Sequence, residues 1–182
     1  LYFYGITSSN NNLNTIGTFN ETFLDLPMGF GRSSYVAKFD LLSQNIIWGT
    51  YFGEVIQDIS INSNNNLFFH GCTDQTTGIS TAGAYKEIPE YTDSYTIKLN
   101  ENGQRIWGTY YGGNNSEGVN GAWNVNNKIS IDSNNNLYFL GNTDSTNGVS
   151  TFGSHQVNYQ LNSLGGLYNI YLAKFQDCLS SP

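Results

Sequence analysis

The chain has 182 residues, of which 38% are hydrophobic and only 12% are charged, so it is long enough to bury the core of one domain. Its net charge is −7 and its seven Lys and Arg residues are scattered, which argues against the clustered cations that nucleic-acid binding needs. The sequence contains no run of about 18 apolar residues and therefore predicts no membrane span.

One segment occurs twice and organises the rest of the chain. Residues 59–71 (ISINSNNNLFFHG) and 129–141 (ISIDSNNNLYFLG) are nearly identical, and residues 1–5 (LYFYG) match the second half of the same text. A duplicated segment of this kind indicates a repeat architecture. The 20 glycines and the 15% of aromatic residues favour short β-strands joined by tight turns.

In chain order, each repeat predicts four strands joined as a meander. The strands are residues 1–5, 35–39, 47–51 and 59–61 in the first copy, 67–71, 95–99, 106–110 and 129–131 in the second, and 137–141 and 171–175 in the third. Asn102 and Gly103 lie between the second and third strands of the middle copy, and Asn-Gly is a strong hairpin signal. The pattern therefore predicts an all-β protein.

The second and third strands repeat a lysine and a tryptophan. Lys38, Lys98 and Lys174 could form a ring of cations, but we favour side chains that cover apolar surface while their ammonium groups stay in water. Trp48 and Trp107 could be ligand platforms, but their common repeat position favours a role in the core.

The connection after the third strand differs between the copies. From the tryptophan to the first isoleucine of the fourth strand is 11 residues in the first copy and 22 in the second, which inserts residues 112–124. Insertions specific to one copy form loops, often on a binding face. Trp123 belongs to no repeat position, so it is either a contact for sugar or protein or packs on its own sheet. The candidate binding residues are Trp123, Asn114, Asn115 and Glu117.

The sequence offers few groups for chemistry. His70 and His155 fall at different repeat positions without an i, i+4 partner, and Glu117 is the only carboxylate of the insert, which is too few for a calcium site. Cys72 and Cys178 have no metal-ligand spacing. A buried thiol plus one near the C-terminus, or a disulfide in an exported protein, are both open. We expect no catalytic activity, no metal and no cofactor.

Four antiparallel strands in one repeated sheet are the unit of a β-propeller blade. The repeat length is 66 residues from Gly5 to Gly71 and 70 from Gly71 to Gly141, which is too long for a β-solenoid coil. We therefore expect about two and a half four-stranded blades, with repeat units of about 1–66, 67–136 and 137–182. A ring needs about four to eight blades, so we expect the chain to be the C-terminal part of a larger propeller.

The repeat resembles the bacterial β-propeller repeat called SBBP. The resemblance is carried by Ser-Thr-x-Gly-Ala-Tyr at 80–85, Trp-Gly-Thr-Tyr-Tyr-Gly-Gly at 107–113 and Ile-x-Ile-Asp-x-x-Asn-Asn-Leu-Tyr at 129–138. The asparagine-rich character and the ending at residues 175–178 look like versions in Bacteroidetes surface proteins, where such propellers belong to long chains with a type IX secretion signal. Residues 52–55 depart from the pattern, because they lack its glycine-rich loop.

This resemblance implies export and supplies no catalytic residues. We expect a non-catalytic binding, adhesion or scaffold module of a secreted or cell-surface bacterial protein. Its partners would be a protein or glycan at the cell surface, together with the remaining blades or adjacent domains of the same polypeptide. The alternatives are a glycan-active propeller enzyme, which needs carboxylates converging at the ring mouth, and a structural subunit of a surface or secretion complex.

Overall fold

The structure, a computed structural model, describes residues 1–27, 31–118, 127–160 and 168–176. These residues form ten strands and no helix, which confirms the all-β prediction and the position of every predicted strand. The strands are β1 (Tyr2–Thr7), β2 (Ser33–Asp40), β3 (Asn45–Phe52), β4 (Asp58–Ile61), β5 (Leu67–Thr73), β6 (Asp93–Leu99), β7 (Arg105–Tyr111), β8 (Lys128–Ile131), β9 (Asn136–Thr143) and β10 (Asn169–Gln176).

The strands form three antiparallel sheets. The first sheet has the order β1-β2-β3, the second β4-β5-β6-β7 and the third β8-β9-β10. Neighbours in each sheet are consecutive in the chain, as a meander requires. The described sheets thus contain three, four and three strands, and only the second has the four strands expected of each repeat.

The fourth predicted strand of the first repeat lies in a different sheet from the one we expected. We placed residues 59–61 at the end of the first repeat, but β4 pairs with β5, with Ile59 opposite Phe69 and Ile61 opposite Leu67. Residues 129–131, which we placed at the end of the second repeat, likewise lie in the third sheet, where β8 pairs with β9. The reason is the turn between β4 and β5, in which Asn62 Oδ1 accepts hydrogen bonds from the N–H groups of Asn64 and Asn66, both 3.0 Å. This hairpin holds both strands in one sheet, and Asp132 makes the same bonds in the third sheet.

The sheets pack face to face through two hydrophobic clusters. Between the first and second sheets, the Phe52 ring lies 5.0 Å from that of Phe69 and 5.5 Å from that of Tyr95. Between the second and third, Phe139 packs against Tyr111 at 5.4 Å. The middle sheet is thus covered on both faces, and every residue of β6 is buried. We call the contact between the first and second sheets the first junction and that between the second and third the second junction.

The repeated tryptophans belong to this packing, as predicted. Trp48 is 3% exposed, and its Nε1 donates a hydrogen bond of 2.8 Å to the carbonyl of Glu101 in the next sheet. Trp107 packs edge-on against Phe68 at 5.9 Å. The tryptophans therefore hold neighbouring sheets and strands together.

The repeated lysines cover apolar surface, as predicted, and among the three only Lys98 departs from the prediction that the ammonium group stays in water, since Lys38 is half-buried and Lys174 exposed. Each lies over an aromatic ring directly opposite on the neighbouring strand: Lys38 over Tyr2 at 5.5 Å, Lys98 over Phe68 at 5.3 Å and Lys174 over Tyr138 at 5.4 Å. Lys98 is only 5% exposed, so its charge is not left in water. A ring face stabilises a nearby cation electrostatically, which explains the recurrence of the pair.

Candidate functional site

The predicted binding residues of the insert contact the chain's own third sheet. Asn114 Oδ1 accepts hydrogen bonds from the N–H groups of Thr146, at 2.9 Å, and Asn147, at 3.1 Å. The N–H of Asn115 donates to Ser145 Oγ at 2.9 Å. These bonds fasten the connection after β7 to the turn after β9. Trp123 lies outside the described residues, so its role stays a prediction.

Glu117, the third described candidate, is buried in the second junction. Its Oε1 accepts hydrogen bonds from Thr143 Oγ1 at 2.8 Å and Ser145 Oγ at 2.5 Å, and its Oε2 accepts one from the N–H of Gly113 at 3.1 Å. Burial raises the pKa of this carboxyl to about 7, although the three donors oppose the shift. The carboxyl thus acts as an internal brace between two sheets.

A second carboxyl and a lysine lie beside Glu117. Asp93, at the start of β6, is fully buried, and its Oδ2 lies 2.7 Å from Lys86 Nζ. Burial raises the pKa of Asp93, while the adjacent Lys86 ammonium and the hydrogen bond with Glu117 act in the opposite direction. We did not predict this cluster, because the three copies have different residues at this position: Ser33, Asp93 and Asn169. Within the described ranges, no group of three or more His, Cys, Asp or Glu residues could hold a metal ion.

Glu54 occupies in the first junction the place that Glu117 occupies in the second. Thr73 Oγ1 donates to Glu54 Oε2 at 2.8 Å, and Thr73 and Thr143 both follow the repeated glycine by two residues. Burial raises the pKa of Glu54 to about 7 as well. The carboxyl position is therefore common to both junctions, although the sequence around it is not.

The connections from the third to the fourth strand differ by 11 residues between the first and second copies, and the equivalence of Glu54 and Glu117 divides this difference into two parts. Glu54 follows Gly53 directly, whereas residues 113–116 separate Gly112 from Glu117, which accounts for four residues. The other seven lie between Glu117 and β8, where residues 119–126 are outside the described ranges. The short segment that departs from the SBBP pattern thus lacks the four residues before its glutamate.

Each junction contains a cavity at the same repeat position, and the two differ in size. The first has a volume of about 560 Å³ and is lined by Phe19, Leu24, Phe52, Glu54, Gly78 and Arg105 among others. The second measures about 240 Å³ and is lined by Tyr85, Gly112, Asn114 and Gly148 among others. In the larger cavity, which we call the first cleft, the Arg105 guanidinium lies 4.9 Å from the centre of the Phe19 ring.

The histidines and the described cysteine have structural surroundings. His70 is buried and stacked on Phe139 at 5.1 Å, and burial lowers its pKa to about 4. His155 is exposed. Cys72 is a free thiol whose pKa is raised to about 11 by burial. A thiol protonated at neutral pH is a poor nucleophile. Cys178 lies outside the described residues.

No protein-family model matches the chain, and no curated protein is significantly similar to it. In the part of the chain that the structure describes, no helix is long and apolar enough to cross a membrane.

Proposed function

We propose that this chain is part of a β-propeller of the SBBP type and serves as a non-catalytic binding or scaffold module of an exported bacterial surface protein. The observation that carries this proposal is the regular stacking of the three sheets. The first and second sheets present the same face to the next one, with the lysine–aromatic pair at the same register. In a repeat array each unit contacts its neighbours and buries its apolar face by stacking.

The equivalent face of the third sheet is exposed. It carries Leu140, Ile170 and Leu172, of which Ile170 is 73% and Leu172 69% exposed. The counterparts of Leu172 are Val36 in the first sheet and Thr96 in the second, and both are buried under a neighbouring sheet. We therefore propose that this face accepts a further sheet of the same kind. A contiguous apolar patch of this type is typical of an interaction surface.

The positions of three carboxyls at the sheet junctions also support a scaffold role. Glu54, Asp93 and Glu117 all lie at junctions between sheets, where their oxygens accept hydrogen bonds or pair with Lys86. An enzyme acting on glycans needs carboxyls that reach the substrate. Asp93 and Glu117 are enclosed between two sheets, and Glu54 joins the first and second sheets while it also lines the first cleft.

A double substitution tests the stacking face. We expect the purified chain to self-associate through its third sheet. The variant Ile170→Lys/Leu172→Lys is expected to raise the dissociation constant at least about tenfold, because two apolar side chains that become buried on association would be replaced by charges. Sedimentation equilibrium measures this constant. Leu42→Lys is the matched control, since Leu42 is 95% exposed in the β2–β3 turn. Association that is unchanged in the double variant would contradict the proposed stacking.

Activity and location are tested separately. Purified protein incubated with a panel of bacterial and plant polysaccharides is expected to release no reducing ends. Antibody labelling of intact cells of the source organism is expected to detect the protein at the cell surface. Release of reducing ends that tracks with the purified chain would favour the glycan-active enzyme. Labelling seen only after cell lysis would contradict the proposed export.

A further inference from the structure

Residues 113–116 fill the second junction by pairing with the turn after β9. Asn114 N donates to the carbonyl of Asn147 at 3.2 Å, and the carbonyl of Ser116 accepts from the N–H of Asp144 at 3.0 Å. The Asn114 side chain adds the hydrogen bonds to Thr146 and Asn147 already described. This short loop thus binds the turn through both its backbone and one asparagine side chain.

The turn after β5 shares a side-chain hydrogen bond and a glycine of positive φ with the turn after β9, but residues 113–116 have no counterpart beside it. Thr73 Oγ1 accepts from the N–H of Gln75 at 3.0 Å, as Thr143 Oγ1 does from Ser145 at 3.0 Å. Gly78 and Gly148 close the two turns with φ values of 82° and 84°. Residues 74–78 are exposed, and none of the described residues pairs with them as residues 113–116 pair with the later turn. Thr77 and Gly78 of this turn line the first cleft, and residues 74–76 continue from its edge.

We propose that the first cleft binds a short peptide segment of a partner protein with the chemistry of Gly-Asn-Asn-Ser. The first asparagine of that segment accepts from the N–H groups of Thr76 and Thr77, the counterparts of Thr146 and Asn147. Its backbone pairs with the carbonyl of Thr77 and the N–H of Asp74. The inference deepens the proposed binding role and rests on it, because it names the class of partner.

The rest of the cleft fits the same occupant. Among the described residues, the Glu54 carboxyl accepts one hydrogen bond, from Thr73, whereas Glu117 accepts three. In the second junction one of the additional donors is the N–H of Gly113, which belongs to the loop. A glycine N–H of the bound peptide supplies that donor to Glu54. Preorganised turns of this kind reduce the entropy cost of binding.

The probe is the capped tetrapeptide acetyl-Gly-Asn-Asn-Ser-amide, titrated into the isotope-labelled chain and followed by NMR. We expect saturable shifts of the amide signals of Thr76, Thr77 and Gly78. Replacing the first asparagine of the peptide with alanine is expected to weaken binding about tenfold or more, because two hydrogen bonds are lost. Shifts that are absent at millimolar peptide, or that are unaffected by this replacement, would overturn the proposal.

A graft provides the complementary test. Inserting Gly-Asn-Asn-Ser between Gly53 and Glu54 gives the first junction the four residues that it lacks, and we expect the peptide no longer to bind this variant. The Ile170→Lys/Leu172→Lys variant is the control, because its substitutions lie on the outer face of the third sheet, and it is expected to bind the peptide like the parent chain. Peptide binding that persists in the graft overturns the cleft as the site.

The outcomes separate this inference from the proposed function. Loss of self-association in the double lysine variant, together with no peptide binding, would leave the scaffold standing and reject the cleft. N-acetylglucosamine serves as a second probe. If it shifts the same amides and the peptide does not, the cleft is a saccharide site and the peptide proposal is wrong.

Discussion

Replacing Gly108 with alanine is expected to lower the free energy of unfolding by about 3 kcal/mol, at the upper end of the range for overpacked sites. Gly108 lies in β7, and a Cβ at this position would stand 2.1 Å from the carbonyl oxygen of Ile79. That carbonyl belongs to a buried residue of the first hydrophobic cluster, so the backbone itself must move. The Gly108 carbonyl also accepts from the N–H of Thr81 at 3.0 Å, and this bond would be strained.

Urea denaturation measures this change, provided that the free energy of unfolding depends on the urea concentration with the same slope in the parent and the variant. Gly53→Ala is the control, because its Cβ would meet the Cβ of the exposed Leu24 at 3.3 Å, and a shift of a few tenths of an ångström in this exposed segment relieves the contact. We expect that variant to lose less than about 1 kcal/mol. Equal losses in the two variants would show that the close approach of the 79–81 segment to β7 is not a main determinant of stability.

Replacing Glu117 with alanine is expected to cost about 3 kcal/mol, because three donors inside the second junction lose their acceptor. Glu117→Gln keeps one acceptor oxygen and is expected to cost less. The same carboxyl makes stability depend on pH. Its pKa is raised from 4.5 to about 7 in the folded chain. The contribution of the protonated carboxyl to the free energy of unfolding is therefore complete below about pH 4.5 and is lost as the pH rises through about 7.

Other buried groups modify this pH dependence. The raised pKa values of Glu54 and Asp93 act in the same direction, whereas the lowered pKa of His70 increases stability between about pH 4 and 6.5. We expect the melting temperature of the parent chain to fall as the pH rises from about 5 to 8, and the fall to be smaller in Glu117→Gln. If the melting temperatures of the two proteins fall by the same amount over this pH range, the assignment of the pH dependence to Glu117 is contradicted.

The repeated residues made most of the fold predictable. The period-two pattern located all ten strands, and the equivalent positions of Trp48 and Trp107 indicated their packing role. The sheet to which β4 belongs was harder to predict, because a series of antiparallel strands joined as a meander can be divided into sheets at any of its connections. The side-chain bonds of Asn62 settle that choice, and the same residue type is equally compatible with a link between two sheets.

The candidate site was harder to predict than the fold. Glu54 and Glu117 are equivalent only through their bonds to Thr73 and Thr143, which lie 19 and 26 residues away. The lengths around the two glutamates differ on both sides, so aligning the copies by sequence does not match them. Asp93 is the first residue of β6, and Glu117 lies in the connection after β7, 24 positions later. No local sequence pattern predicts that these two residues are in contact.

The burial of the middle sheet on both faces gives the chain a graded resistance to opening. The second sheet is exposed on both faces only if both neighbours separate from it. The third sheet can detach by breaking one hydrophobic cluster and the polar contacts of one junction, among them the hydrogen bonds of Glu117 and the bond from the Ile129 N–H to Asp58. Sheets in such arrays open as cooperative units of unequal free energy. The amide protons of β5 and β6 would then be the last to exchange with solvent, and those of the third sheet would exchange earlier.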